Sequence, residues 1–166
     1  NAVLEQASVI RKMVFPSELL PFVHLTAAMI NHFIGLTILI GFLFILGYGI
    51  SLKILLMFLY LFAIGVFALG ISWLLSSLNV FMRDIGQVIS VVMNIWFFLT
   101  PISYPGRMIP ESVKGLLRLN PMFHAVDGYR MALLGKADMD MTGLAYLLVV
   151  SLITFVLGGL AFQKLK

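Results

Sequence analysis

Residues 54–82 read ILLMFLYLFAIGVFALGISWLLSSLNVFM and lie between Lys53 and Arg83. No Asp, Glu, Lys or Arg interrupts them, and a helix needs only about 20 apolar residues to cross about 30 Å of hydrocarbon. That stretch makes the chain a membrane protein. Three further charge-free stretches, 19–52, 85–106 and 141–163, pass the same length. The 166 residues are 61% hydrophobic and 11% charged, and the mean hydropathy is +1.08, far from the balance of a soluble domain. The pattern predicts an all-α polytopic membrane helix bundle with four transmembrane helices near 22–46, 54–78, 86–101 and 143–163.

Composition excludes several function classes. There is no cysteine, so disulfides and thiolate metal sites are ruled out. The net charge of +4 comes from cations scattered at span ends, which fits membrane flanks and not a nucleic-acid surface. No metal site is expected, since His24 and His32 lie about 12 Å apart along one helix. The chain starts at Asn1 without the pattern of a signal peptide and reads as part of a longer protein. Four spans put Arg11, Lys12, Arg83, Lys164 and Lys166 on the side of the termini. Lys53, Arg107, Lys114, Arg118, Arg130 and Lys136 fall on the other. The first group sits closer to span ends, which favours cytoplasmic termini.

Residues 1–21 form the first unit. Leu4, Ala7, Ile10 and Val14 recur at helical spacing, so residues 1–14 read as an amphipathic helix at the interface. Phe15-Pro16 ends it, and Ser17, Glu18 and Pro21 open the next helix. Taken alone, such an elbow anchors a span. Three transmembrane helices follow over 22–101. The glycine-rich Gly47-Tyr48-Gly49-Ile50-Ser51 makes the first two a hairpin, and Asn79 to Asp84 turns the second into the third. Segment 102–142 differs. Pro110-Glu111 opens a short helix that stops near Asn120-Pro121, and a second runs from Met122 to Leu134 and closes at Gly135. Both are apolar and too short to span, so they read as re-entrant or interfacial helices. The last transmembrane helix and a tail occupy 143–166.

All charged residues lie outside the spans, which weighs against an ion-coupled secondary transporter. No nucleotide loop is present, because Gly135-Lys136 is followed by Ala137. Gly70-Ile71-Ser72-Trp73-Leu74 lacks the second glycine of a serine nucleophile elbow, and no catalytic pair accompanies it. Two stripes remain. His24, Ala27, Ala28, Asn31, His32 and Gly35 share a face of the first span, as expected for close helix packing with interhelical hydrogen bonds. Gln87, Ser90, Asn94, Phe98 and Pro101 share a face of the third, a polar and aromatic lining that suits a hydrated path. Trp73, Trp96, Phe97 and Tyr104 sit where interface anchors are common.

Three motifs then fall in order. Ile10-Arg11-Lys12-Met13-Val14-Phe15-Pro16-Ser17-Glu18-Leu19-Leu20-Pro21 resembles an elbow segment of type-2 ABC exporter permeases, specifically the polysaccharide group that exports O-antigen, teichoic acid and capsule. Leu78-Asn79-Val80-Phe81-Met82-Arg83-Asp84-Ile85-Gly86-Gln87 resembles that group's turn. Leu99-Thr100-Pro101-Ile102-Ser103-Tyr104-Pro105, with Pro110-Glu111, Leu119-Asn120-Pro121 and Tyr129-Arg130, resembles its two short periplasmic helices. The resemblance implies six spans, of which these are the last four, and a homodimer working with two ABC ATPase subunits in the bacterial cytoplasmic (inner) membrane. It implies that Arg11, Lys12, Phe15, Pro16 and Glu18 couple to the ATPase, and that Asn79, Arg83 and Asp84 form a cytoplasmic turn. On the same reading Gln87, Ser90, Asn94 and Phe98 line the path of a lipid-linked glycan, and Pro101, Tyr104, Pro121, Tyr129 and Arg130 belong to a periplasmic gate. An Arg130 pairing with Asp127, one turn back, is also expected. The chain itself would bind no cofactor, with ATP and Mg on the partner ATPase, and would contact membrane lipid but no nucleic acid. A type-2 exporter of a drug or small lipid shares the same elbow and is the alternative.

Overall fold

The computed structural model describes residues 19–49, 52–81, 84–102, 110–135 and 140–165. Six helices form among them: α1 (Leu19–Ile45), α2 (Ile54–Phe81), α3 (Ile85–Leu99), α4 (Glu111–Leu117), α5 (Pro121–Leu134) and α6 (Met141–Leu165). The helices α1, α2 and α6 are long and apolar enough to cross a membrane. The elbow residues Arg11, Lys12, Phe15, Pro16 and Glu18, and also Arg83 and Tyr104, lie outside the described residues.

A Schellman turn joins α1 to α2. Gly47 takes φ +80°, while the Gly47 N–H donates to Phe44 O at 3.0 Å and the Tyr48 N–H to Leu43 O at 3.0 Å. Leu36, Met57 and Ala132 form one buried cluster, and Tyr60, Ala63, Ala125, Leu144 and Leu147 form another. The second helix, α2, is the central one and touches α1, α3, α5 and α6.

The α2–α6 contact is the most extensive. Residues 60, 63 and 70 of α2 meet 144, 147 and 158 of α6, so the two helices run parallel. Their backbones touch at Gly70 and Gly158. A Cβ on Gly158 would lie 3.0 Å from Gly70 Cα and closer still to its carbonyl. Lipid offers no hydrophobic drive for such pairing, so small residues that let backbones approach supply it through van der Waals contact.

The smaller α5 nests by the same device. Ala125, Gly128 and Ala132, at i, i+3 and i+7, are buried against α2, and a Cβ on Gly128 would run into the Tyr60 ring. Ala63, which packs with Ala125, is nine residues into α2, so Ala125 lies about 14 Å along α2 from its N-terminal end. From there α5 runs back toward that end, where Ala132 meets Met57.

Two boundaries differ from the sequence reading. The third span, expected over 86–101, is a 15-residue helix that ends at Leu99. Thr100 is extended at φ −93°, ψ 128°, because Pro101 disfavours helical geometry in the residue before it. At about 22 Å, α3 does not cross alone. Asn79 lies in the last helical turn of α2 and not in a loop, because the charge-free run lets α2 continue to Phe81.

Replacing Gly158 by Leu should force α2 and α6 apart and cost about 1–3 kcal/mol. The expected result is a lower unfolding temperature and loss of a monodisperse peak on size-exclusion chromatography in detergent. Gly35→Leu, at a position with nothing within 4 Å, should leave both unchanged.

Candidate functional site

The end of α3 is tied to the start of α5 by one side chain. Trp96 Nε1 donates to Asn120 Oδ1 at 2.8 Å, and Asn120 Nδ2 donates to Thr100 Oγ1 at 2.9 Å. The Thr100 hydroxyl donates in turn to Trp96 O at 2.9 Å. Asn120 Oδ1 also accepts the Met122 N–H at 3.0 Å, capping α5, with Pro121 at the first helical position. Thr100 and Pro101 are buried here. Thus one amide satisfies the helix start, the indole and the hydroxyl together.

Further up α5, Tyr129 OH and His32 Nε2 are 3.1 Å apart, with rings edge to face at 5.7 Å. His32 is the midpoint of α1, so the contact places α5 beside mid-span. Arg130 donates to Ile102 O at 2.8 Å rather than to Asp127, which pins the turn after α3 to α5. At the base, Tyr146 OH donates to Leu119 O at 2.7 Å, and a contact with Arg118 O at 2.8 Å holds His124.

A groove leads away from this network. Its floor is α2 and its walls are α1 and α3. Beside α5 a cavity of about 560 Å³ is lined by Met29, His32, Ile64, Ile102, Tyr129 and Arg130. Ile102, Met122 and Val126 are shared with a second cavity of about 380 Å³, where Phe67, Trp96 and Phe97 supply aromatic surface. Phe67 and Trp96 meet edge to face at 6.0 Å. Ser72 and Leu75 continue into a third, of about 210 Å³, beside Asn79. From Leu61 to Asn79 the floor runs about 27 Å, close to the hydrocarbon thickness.

The α3 residues expected to line a path do not line this groove. Ile85, Ile89 and Trp96 make the packed side of α3, and Gln87, Ser90, Asn94 and Phe98 lie exposed on the opposite face. Ser90 donates back to Gly86 O at 3.1 Å. Of the turn residues, Asn79 is buried and Asp84 is exposed, with its carbonyl accepting from Gln87 N–H at 3.1 Å. Of the residues expected at a gate, Tyr129 and Arg130 line the first cavity, Pro121 opens α5, and Pro101 is buried at the end of α3. The stripe of α1 divides: Leu25, Met29, Leu36 and Ile40 face the bundle, whereas Ala27, Asn31 and Gly35 are exposed. Sequence reasoning missed Trp96, Thr100 and Asn120 as one network. An Asn-Pro pair at a helix start was the available signal.

Residues 2–134 match the family described as ABC-2 type transporter. The chain belongs to this family. Among relatives, it is 30% identical over 165 residues to the O-antigen export system permease protein RfbA of Klebsiella pneumoniae, covering 98% of this chain and 63% of that protein. It is 26% identical over 166 residues to the RfbA of Myxococcus xanthus, covering 99% and 64%. The ABC-2 chain therefore spans just under two thirds of the length of these relatives. Its three long apolar helices make it a multi-pass membrane protein of a transporter family.

Asn120→Ala should orphan the indole, the hydroxyl and the α5 N-terminus, at a cost of about 1–3 kcal/mol. The expected readout is faster amide hydrogen exchange over 111–128 with α2 and α6 protected as before. Asn120→Asp keeps the acceptor for Trp96 and Met122 and should recover most of the protection. Tyr129→Phe should cost about 1 kcal/mol at most, because it removes one hydrogen bond and keeps the ring packing.

Proposed function

We propose that this chain is part of the permease subunit of an ABC exporter that moves lipid-linked polysaccharide of the O-antigen type across the bacterial cytoplasmic membrane. ATP, with Mg, is hydrolysed on two separate ATPase subunits. The observation that carries the reading is similarity to O-antigen permeases across 98% of the chain, supported by the ties of Trp96 to Asn120 and of Arg130 to Ile102. The re-entrant α4–α5 pair, bound to the end of α3, suits a gate that moves with that helix.

A homodimer accounts for the polar face of α3. Gln87, Ser90 and Asn94 point away from the chain's own bundle, and repeated polar side chains at membrane depth need partners or water. Two copies facing each other through this stripe enclose a hydrated path with Phe98 at its gate end. The elbow with Arg11, Lys12, Phe15, Pro16 and Glu18 then meets the ATPase, its prolines making it stiff enough to pass on the ATPase motion. This places the termini in the cytoplasm.

Deleting the gene should abolish surface polysaccharide while the glycan accumulates inside the cell. Full-length tagged protein purified in mild detergent should bring an ABC ATPase with it. Combined Arg11→Ala, Phe15→Ala and Glu18→Ala should lose that partner or uncouple its ATP hydrolysis from export. Normal surface glycan in the deletion strain would defeat the proposal.

A further inference from the structure

The third cavity differs from the other two in its lining. His24 from α1 and Ser72, Ser76 and Asn79 from α2 bring four polar side chains to it, with Pro21 and Ile89 closing the sides. Ser72, Ser76 and Asn79 follow at i, i+4 and i+7, so a single face of α2 presents them. Asn79 is 6% exposed, and its Oδ1 has no hydrogen-bond partner among the described residues. A buried amide oxygen without a donor is costly, most of all in a membrane helix, and native structures supply a donor from protein or water.

The chemistry of the lining narrows the occupant. Among the described residues no carboxylate lines the cavity, and no group of His, Cys, Asp or Glu could hold a metal. A cation would therefore lose its hydration for one amide oxygen and two hydroxyls. No Lys or Arg among the described residues lines it either, so an anion finds no counter-charge there. A neutral hydroxyl fits: it donates to Asn79 Oδ1 and accepts from Ser72 or Ser76. About 210 Å³ accommodates several such groups.

We propose that this crevice, at the end of the groove remote from the gate, is a hydrated binding site for neutral hydroxyl groups. The donor to Asn79 is water or a hydroxyl of a glycan that enters the groove. The glycan source rests on the export reading; the hydrated site does not.

The test uses the full-length protein in native membrane vesicles. The chain has no cysteine of its own, so single cysteines can be placed cleanly once any elsewhere in the full-length protein are replaced. Ser76→Cys, and Ser72→Cys as a second site, are treated with a charged, membrane-impermeant thiol reagent. Ser151→Cys, buried in the α2–α6 contact at 1% exposure, is the comparison. Both crevice sites should react at least about tenfold faster than position 151, as wet and dry sites do. Adding Asn79→Leu should slow the reaction at position 76 by removing the amide that holds the water. Reaction at 72 and 76 no faster than at 151 overturns the site. Repeating the labelling with glycan synthesis on and off separates the sources: slowing only with glycan present assigns the hydroxyl to sugar, and equal rates assign it to water. Failure of the export reading shows separately, as unchanged surface glycan in the deletion strain.

Discussion

Inside hydrocarbon, a backbone that leaves a helix must find every hydrogen-bond partner within the protein. The constraint bears hardest where α3 ends, because Pro101 halts the helix about 22 Å from its start. Asn120 resolves it. Its side chain takes the Trp96 indole and the Met122 amide on one oxygen and reaches Thr100 with its nitrogen. Arg130 then takes the carbonyl of Ile102. The end of α3 and the start of α5 are thereby a single polar unit.

Close backbone contact provides the frame against which that unit is held. Gly70 on Gly158 sets α6 against α2, and Ala125, Gly128 and Ala132 set α5 into the same helix. With α1 and α3 on either side, α2 becomes the floor of a groove whose character changes along its length. It is polar near Asn79, aromatic at Phe67 and Trp96, and polar again at His32 and Tyr129.

Much of the fold was legible in the residues. Gly47 and Gly135 both adopt the positive φ expected of helix ends, and the short helices opening at Glu111 and Pro121 stand where the prolines put them. The expected packing stripe of α1 was legible only at its edge, where His32 reaches Tyr129. Ala27, Asn31 and Gly35 are exposed, and the apolar Leu25, Met29 and Leu36 carry the contact. The polar stripe of α3 was correctly read as one face, yet its neighbours are not supplied by this bundle. Trp96 read as an interface anchor because its partner, Asn120, is 24 residues away.

Sequence by itself determined that the chain is an all-α membrane protein, where its helices lie, and where glycine and proline end them, because these depend on local geometry and on transfer from water to lipid. Tertiary structure decided which face of each helix meets protein. Lipid and protein interior are equally apolar, so burial does not distinguish the two sides of a membrane helix. Shape and hydrogen-bond partners do, and Gly70 against Gly158 or Trp96 with Asn120 becomes visible only once the helices are side by side.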